Sequence, residues 1–239
     1  MGKKFETRLD AVVEASPEQV WDAIATGPGV SSWFVGRTEI DGDSVRTAFG
    51  EDWIPAGHVT ARDEPRHFAY RSDTAPDGRF IAYEYLIEGR DSAATVLRSV
   101  TAGFLPGDDW AAEYEAMQYG TALFFATLLQ CLRYFPGQVA TPVTAFGPPV
   151  ADWSAEWRRL HDELGLKDPR AGDEVRAELP GLPAVEGEVY FTNPHTLGIR
   201  TPDALYRFIR GLHGGMVVGH ELFSPVPAAA SAWTTFLNR

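Results

Sequence analysis

From Ala111 to Phe135 the chain carries a helical run with more apolar residues than one face can hold. Tyr114, Met117, Thr121, Phe124, Leu128, Cys131 and Phe135 follow steps of three and four, so they share a face. Leu123, Leu129 and Leu132 widen that stripe. Such a helix is expected to be covered on more than one side. Arg37 to Ile40, Ser44 to Phe49, Ile54 to Asp63, His67 to Ser72, Phe80 to Glu88 and Thr95 to Thr101 are strand-like runs. Asp41-Gly42-Asp43 and Pro76-Asp77-Gly78 are explicit turns between them. Short strands at this spacing predict an antiparallel meander rather than a βαβ repeat. The fold class is α+β.

The chain opens with a strand over Phe5 to Ala15. Ser16-Pro17-Glu18-Gln19 then combines a capping residue, a proline suited to a first turn and a glutamine at the capping-box position. Val20, Trp21 and Ile24 form the buried stripe of the short helix that follows. It is expected to end near Gly27-Pro28-Gly29, with a second helical piece over Val30 to Phe34. Pro136-Gly137 closes the long helix, which sets a first domain at residues 1–138 and a second at 139–239. The second half repeats the order of elements more loosely. Pro142 to Phe146 reads as a strand, and Asp152 precedes a helix carrying Trp153, Trp157, Leu160 and Leu164. Lys167 to Gly187 reads as a loop. Strands follow at Glu188 to Thr192, Leu197 to Arg200, Ala204 to Arg210 and Gly215 to Phe223. A last helix after Pro225 and Pro227 turns Trp233, Phe236 and Leu237 inward.

Charge and composition narrow the function. The 33 acidic residues outnumber the 21 basic ones, so the net charge is −12 and a nucleic-acid partner is not expected. The single cysteine excludes an internal disulfide framework and a multi-cysteine zinc site. Cys131 lies on the apolar stripe, where a small buried residue is expected. No apolar run reaches the roughly 20 residues of a membrane span, and the first residues have no apolar signal core. These features suggest a cytoplasmic protein. The sequence has no Walker loop, no G-x-G-x-x-G after a strand, no G-x-S-x-G and no H-E-x-x-H. His220-Glu221 falls in a strand, which does not suit a zinc helix. His58, His67, His161, His195, His213 and His220 are dispersed, and only His58 is placed to reach an interior face. No metal and no cofactor are expected.

Ala15 to Ile24, Ser32-Trp33-Phe34, Gly57-His58-Val59, Glu64 to Phe68, Thr95 to Phe104 and Tyr114-Glu115 occur in an order that carries a resemblance. Over Phe5 to Phe135 the chain resembles the bacterial activator-of-Hsp90-ATPase-homologue-like branch of the START/Bet v 1-like (SRPBCC) superfamily. That resemblance implies a helix-grip fold, in which a curved antiparallel sheet wraps a long C-terminal helix and leaves an apolar cavity between them. The second half has a compatible element order and so reads as a degenerate repeat of the same plan.

The Phe80 to Thr101 hairpin gives the interior a face. A turn centred on Asp91 sets Glu84 opposite Arg98, a pairing of opposite charges that would stabilise the register. Ile81, Tyr83, Tyr85 and Ile87 then share a face with Thr95, Leu97, Ser99 and Thr101. Phe80, Ala82, Leu86, Val96 and Val100 make the other face apolar too. The second half of the chain, or a second copy in a homodimer, is expected to cover it, and a 1–135 fragment is expected to self-associate. Within a helix-grip fold, Trp33, Tyr83, Tyr85, Ser99, Thr101, Tyr114 and Met117 become candidate contacts for a small, mostly apolar ligand. Tyrosine hydroxyls would orient its polar group. Two other readings are an enzyme of the polyketide-cyclase or hydratase kind, with His58 or Glu84 as acid or base, and a co-chaperone-like interaction module. The protein is expected to be a monomer or homodimer.

Overall fold

The Ser16 side chain accepts a bond from the Gln19 N–H, while the Gln19 side chain accepts one from the Ser16 N–H at 2.8 Å. This reciprocal box opens helix α1 (Pro17–Ala25), whose Val20, Trp21 and Ile24 are buried. Gly27-Pro28-Gly29, expected to separate two helical pieces, begins the second one instead. Helix α2 (Gly27–Ser31) has its proline in the first turn and the Thr26 hydroxyl capping the Gly29 N–H at 3.1 Å. A proline is tolerated at that point because its missing N–H would be unpaired in any case.

A computed structural model describes residues 2–90, 94–108, 110–212 and 214–239, with Arg90 described by its backbone. The chain divides into two compact units, Met1–Val139 and Ala140–Arg239. In the first, β1 (Lys3–Val13) precedes α1. After α2 come β2 (Thr38–Asp41), β3 (Ser44–Phe49), β4 (Asp52–Trp53), β5 (Gly57–Asp63), β6 (His67–Ser72), β7 (Phe80–Arg90), β8 (Ala94–Leu105) and α3 (Trp110–Tyr134). The antiparallel sheet runs in the order β1-β8-β7-β6-β5-β3-β2, with β4 paired to β3. The first strand is therefore bonded to the last, and the intervening strands meander away from that pair. Helix α3 packs on β1, β8 and α1. Leu123, Leu128 and Leu132 are buried there, and the Cys131 thiol donates to the Ser32 carbonyl at 3.0 Å. An ion pair between Arg79 and Glu113 ties the start of the helix to the start of β7.

The β7–β8 register differs from the expected one by two residues. Glu84 stands opposite Val100, and Arg98 opposite Leu86. Arg98 reaches diagonally to Glu88 at 3.1 Å, while Glu84 turns to His67 on β6 at 2.8 Å. Because the shift is even, every side chain keeps its face. Tyr83 pairs with Thr101 and Tyr85 with Ser99, where the expected register set them opposite Ser99 and Leu97. Asp91, the expected turn centre, lies outside the described residues. On the other face Val96 is buried, Phe80, Ala82, Leu86 and Val100 are half-buried, and the Arg71 guanidinium lies 4.0 Å from the Phe80 ring.

The second unit comprises β9 (Thr141–Pro149), α4 (Trp153–Glu163), β10 (Glu174–Ala177), β11 (Val185–Asn193), β12 (Thr196–Arg200), β13 (Ala204–Arg210), β14 (Gly215–Leu222) and α5 (Ala229–Leu237). Its sheet order is β10-β11-β12-β13-β14-β9, again with the first strand bonded to the last. The stretch expected as a loop from Lys167 to Gly187 contains the edge strand β10, where Val175 and Ala177 are buried in alternation with Glu174 and Arg176. Trp233, Phe236 and Leu237 of α5 pack into the core with Tyr206, Phe208 and Leu160.

Candidate functional site

The pairing of β1, β8, β7 and β6 lines up hydroxyl side chains across one face of the first unit. Thr7 stands opposite Thr101, Thr101 opposite Tyr83, and Tyr83 opposite Tyr70. The next row across the same strands is Leu9, Ser99, Tyr85 and Phe68. The strand period of two puts both rows on one face. Phe34, which follows α2, links this face to the helix: its ring lies 5.4 Å from Tyr83 and 5.3 Å from Phe124 of α3. Tyr70 and Tyr83 stack at 4.9 Å.

Tyr70 is 6 % exposed, and its hydroxyl has no partner at hydrogen-bond distance and angle among the described residues, although the Tyr85 hydroxyl lies near enough to act on it. A buried hydroxyl without a partner costs about 1–3 kcal/mol, so native chains seldom keep one. Burial raises the pKa of Tyr70, Tyr83 and Tyr85 above the usual phenol value; the neighbouring tyrosines add to the effect at Tyr70, while at Tyr85 the charge of Tyr83 adds to it and Tyr70 opposes it. All three remain neutral at physiological pH. They can give or accept a hydrogen bond, but they are not poised as bases.

The other expected contacts are placed less uniformly. Trp33 is only 3 % exposed, its ring packs edge-on at 6.2 Å from Tyr85, and its indole N–H donates to the Ala23 carbonyl at 2.8 Å. Its ring is part of the core wall. Tyr114 lies 6.0 Å from both Phe5 and Trp110, and its hydroxyl accepts a bond from Gln118 at 2.6 Å. Met117 is half-buried on α3. Thr7 and Tyr70 were not among the expected contacts. Alternation along β6 puts Tyr70 on one face with Phe68 but does not name the strand beside it.

The two acid–base candidates lie on the opposite face of the sheet. Glu84 alternates with Tyr83 and Tyr85 and bonds His67, whereas His58 stands opposite Arg71 with its ring 3.4 Å from Asp73. In the second unit, His220, Arg207 and Glu221 are fully buried. The His220 Nδ1 accepts the Arg207 backbone N–H at 2.9 Å, so its proton sits on Nε2, and the ring meets Trp233 edge-on at 4.3 Å. Arg207 donates to the Gly219 carbonyl and to one Glu221 oxygen, while the other Glu221 oxygen is buried without a partner. His213 lies outside the described residues. Among the described residues no cluster of three or more His, Cys, Asp or Glu side chains could hold a metal ion, and no helix is long and apolar enough to cross a membrane.

No protein-family model matches the sequence, and no curated protein matches it. Solved structures do match. The Aha1 dimer from Colwellia psychrerythraea is 18% identical, with 54% of this chain and 96% of that chain covered and a TM-score of 0.42. The di-domain ARO/CYC BexL from the BE-7585A biosynthetic pathway is 13% identical over 91% of this chain and 84% of its own, with a TM-score of 0.46. A conserved protein of unknown function from Enterococcus faecalis is 15% identical over 54% of this chain and 71% of that one, with a TM-score of 0.42. The helix-grip description of the first unit rests on its own strand order and on the seat of α3 against the sheet.

Proposed function

We propose that the first unit binds a small, mostly apolar and uncharged molecule between α3 and the sheet, with its polar group set against the Thr7, Thr101, Tyr83 and Tyr70 row. The unpartnered Tyr70 hydroxyl carries this reading: it is a neutral hydrogen-bonding group held in an aromatic surround without a protein partner. Thr7, Leu9 and Tyr83 on the sheet and Tyr114, Met117 and Phe124 on the helix are half-buried, which supports accessible space beside the row. Trp33 and Tyr85 would form an apolar wall, and Ser99, in the next row, would offer a further polar contact.

The chemistry favours binding over catalysis. The titratable groups of the row are tyrosines whose burial holds them protonated, and His58 and Glu84 face away from it. A ligand with one carbonyl or hydroxyl on an apolar body suits such a surface. Naphthol and naphthalene form a matched pair of probes, differing by one oxygen. Tyr70→Phe and Thr101→Val should each weaken naphthol binding by up to roughly tenfold, the worth of one hydrogen bond, and leave naphthalene binding unchanged. Fluorescence titration of both probes into the full chain reads this out. Equal losses for the two probes, or none for naphthol, would remove the hydroxyl row from the site.

A further inference from the structure

Strand β1 is the edge of the first sheet, and among the described residues it pairs with β8 alone. An open edge of eleven residues is a template for another strand, and folded proteins normally guard such an edge. Here the guard has a pattern. Lys4, Glu6, Arg8 and Asp10 all point to the outer face and are exposed, and their charges alternate in sign along the strand. The Arg8 and Glu6 side chains, 76% and 48% exposed, already bond along the strand at 2.6 Å. A row of one sign would repel a second copy. An alternating row does the opposite in one register.

We propose that β1 is the seam of a homodimer, in which two copies pair their β1 edges antiparallel about a two-fold axis through Thr7. In that register Lys4 stands opposite Asp10 of the second copy, and Glu6 opposite Arg8, so each outward charge meets its opposite. On the inner face Phe5 meets Leu9, which is half-buried, and Thr7 meets its own mate. Sliding the strands by two residues in either direction brings like charges together: Glu6 against Glu6 and Lys4 against Arg8 one way, Arg8 against Arg8 and Glu6 against Asp10 the other. A slide by one residue sets inner residues against outer ones. The Thr7-centred register joins the two edges with no like-charged pair and with four opposite ones, and a two-fold dimer closes on itself without leaving a further β1 edge.

Sedimentation of the full chain over a range of concentrations should show a reversible monomer–dimer equilibrium. Arg8→Glu sets carboxylates against carboxylates at the centre of the seam and should weaken the dimer roughly tenfold or more. Adding Glu6→Arg to that variant exchanges the two charges, restores complementarity and should restore the dimer. Register is read separately by Thr7→Cys. Directly opposed residues in an antiparallel pair have Cα atoms about 4.5–5.5 Å apart, within disulfide range, so mild oxidation should link two chains. Val12→Cys, exposed at the far end of the strand, should not link. The single native cysteine, Cys131, is buried and does not compete. A chain that stays monomeric at every concentration, a dimer indifferent to Arg8→Glu, or efficient linkage through Val12→Cys with none through Thr7→Cys would overturn the proposal.

Discussion

Tyr70 combines two properties that usually exclude each other, since its ring is stacked and buried while its hydroxyl lacks a partner. Removing that hydroxyl therefore separates folding from function. Tyr70→Phe should leave the free protein as stable as the parent or more stable by about 1 kcal/mol, because the unpaired group costs desolvation and returns no bond. Denaturant unfolding of both proteins without ligand measures this. A loss of stability above that scale would mean that the hydroxyl is bonded in the folded protein. Tyr70 could have been found from the sequence, because His67 to Ser72 was readable as a strand and Phe68 and Tyr70 share its face. What the sequence could not supply was the neighbour: alternation assigns a face, but only strand order brings Tyr70 to Tyr83. Trp33 shows the reverse. Its place beside the cavity-forming elements was legible, but the Ala23 carbonyl that takes its indole N–H belongs to a helix–helix contact that no spacing rule contains.

At the scale of elements, the β13–β14 pair departs from a plain ladder. The Arg207 N–H goes to His220 and the Gly219 carbonyl takes the Arg207 side chain, so side chains replace the backbone partners at that step. Burial raises the pKa of Glu221 to about 8, against the opposing pull of Arg207. In an unfolded chain a glutamate titrates near about 4.3. Between those values the folded protein holds the proton more tightly, so this contribution to stability is complete below the unfolded value and is lost as pH rises toward 8. Unfolding midpoints of the parent and Glu221→Gln, compared from acid to mildly alkaline pH, isolate the effect. The parent should lose ground against the variant as pH rises and level off above about 8. A difference that is flat, or that moves the other way, would mean that Arg207 dominates burial.

The β7–β8 hairpin shows how far periodicity reaches. The expected charge pair gave the wrong register, because Glu84 finds His67 on the neighbouring strand and Arg98 finds Glu88. The faces survived because the error was even. Strand β10 escaped notice for another reason: four residues at a sheet edge, between Pro- and Gly-rich segments, are too short a run for alternation to stand out. The end of α3 was readable, since Pro136 cannot continue the helix and Gly137 takes a φ of 71°, which favours glycine.

Over the whole chain, the two units share one plan. Each bonds its first strand to its last, places a helix after the first strand and ends on a helix. The order of elements was visible in the sequence of both halves, whereas the bonding of first to last strand joins residues about a hundred positions apart in the first unit, beyond the reach of any local spacing rule. The first unit has the long helix, and the aromatic and hydroxyl face described above belongs to it. The central claim is that this face encloses room for one small molecule. Native mass spectrometry of the full chain with naphthol, run beside Ser99→Leu, tests that claim most directly. Ser99 lies in the row next to Tyr85, and a larger apolar side chain there should fill the space at a folding cost of about 1–3 kcal/mol. The account predicts one naphthol per parent chain and a sharply reduced adduct in the folded variant. A parent that takes up none, or a variant that binds as well as the parent, would contradict it.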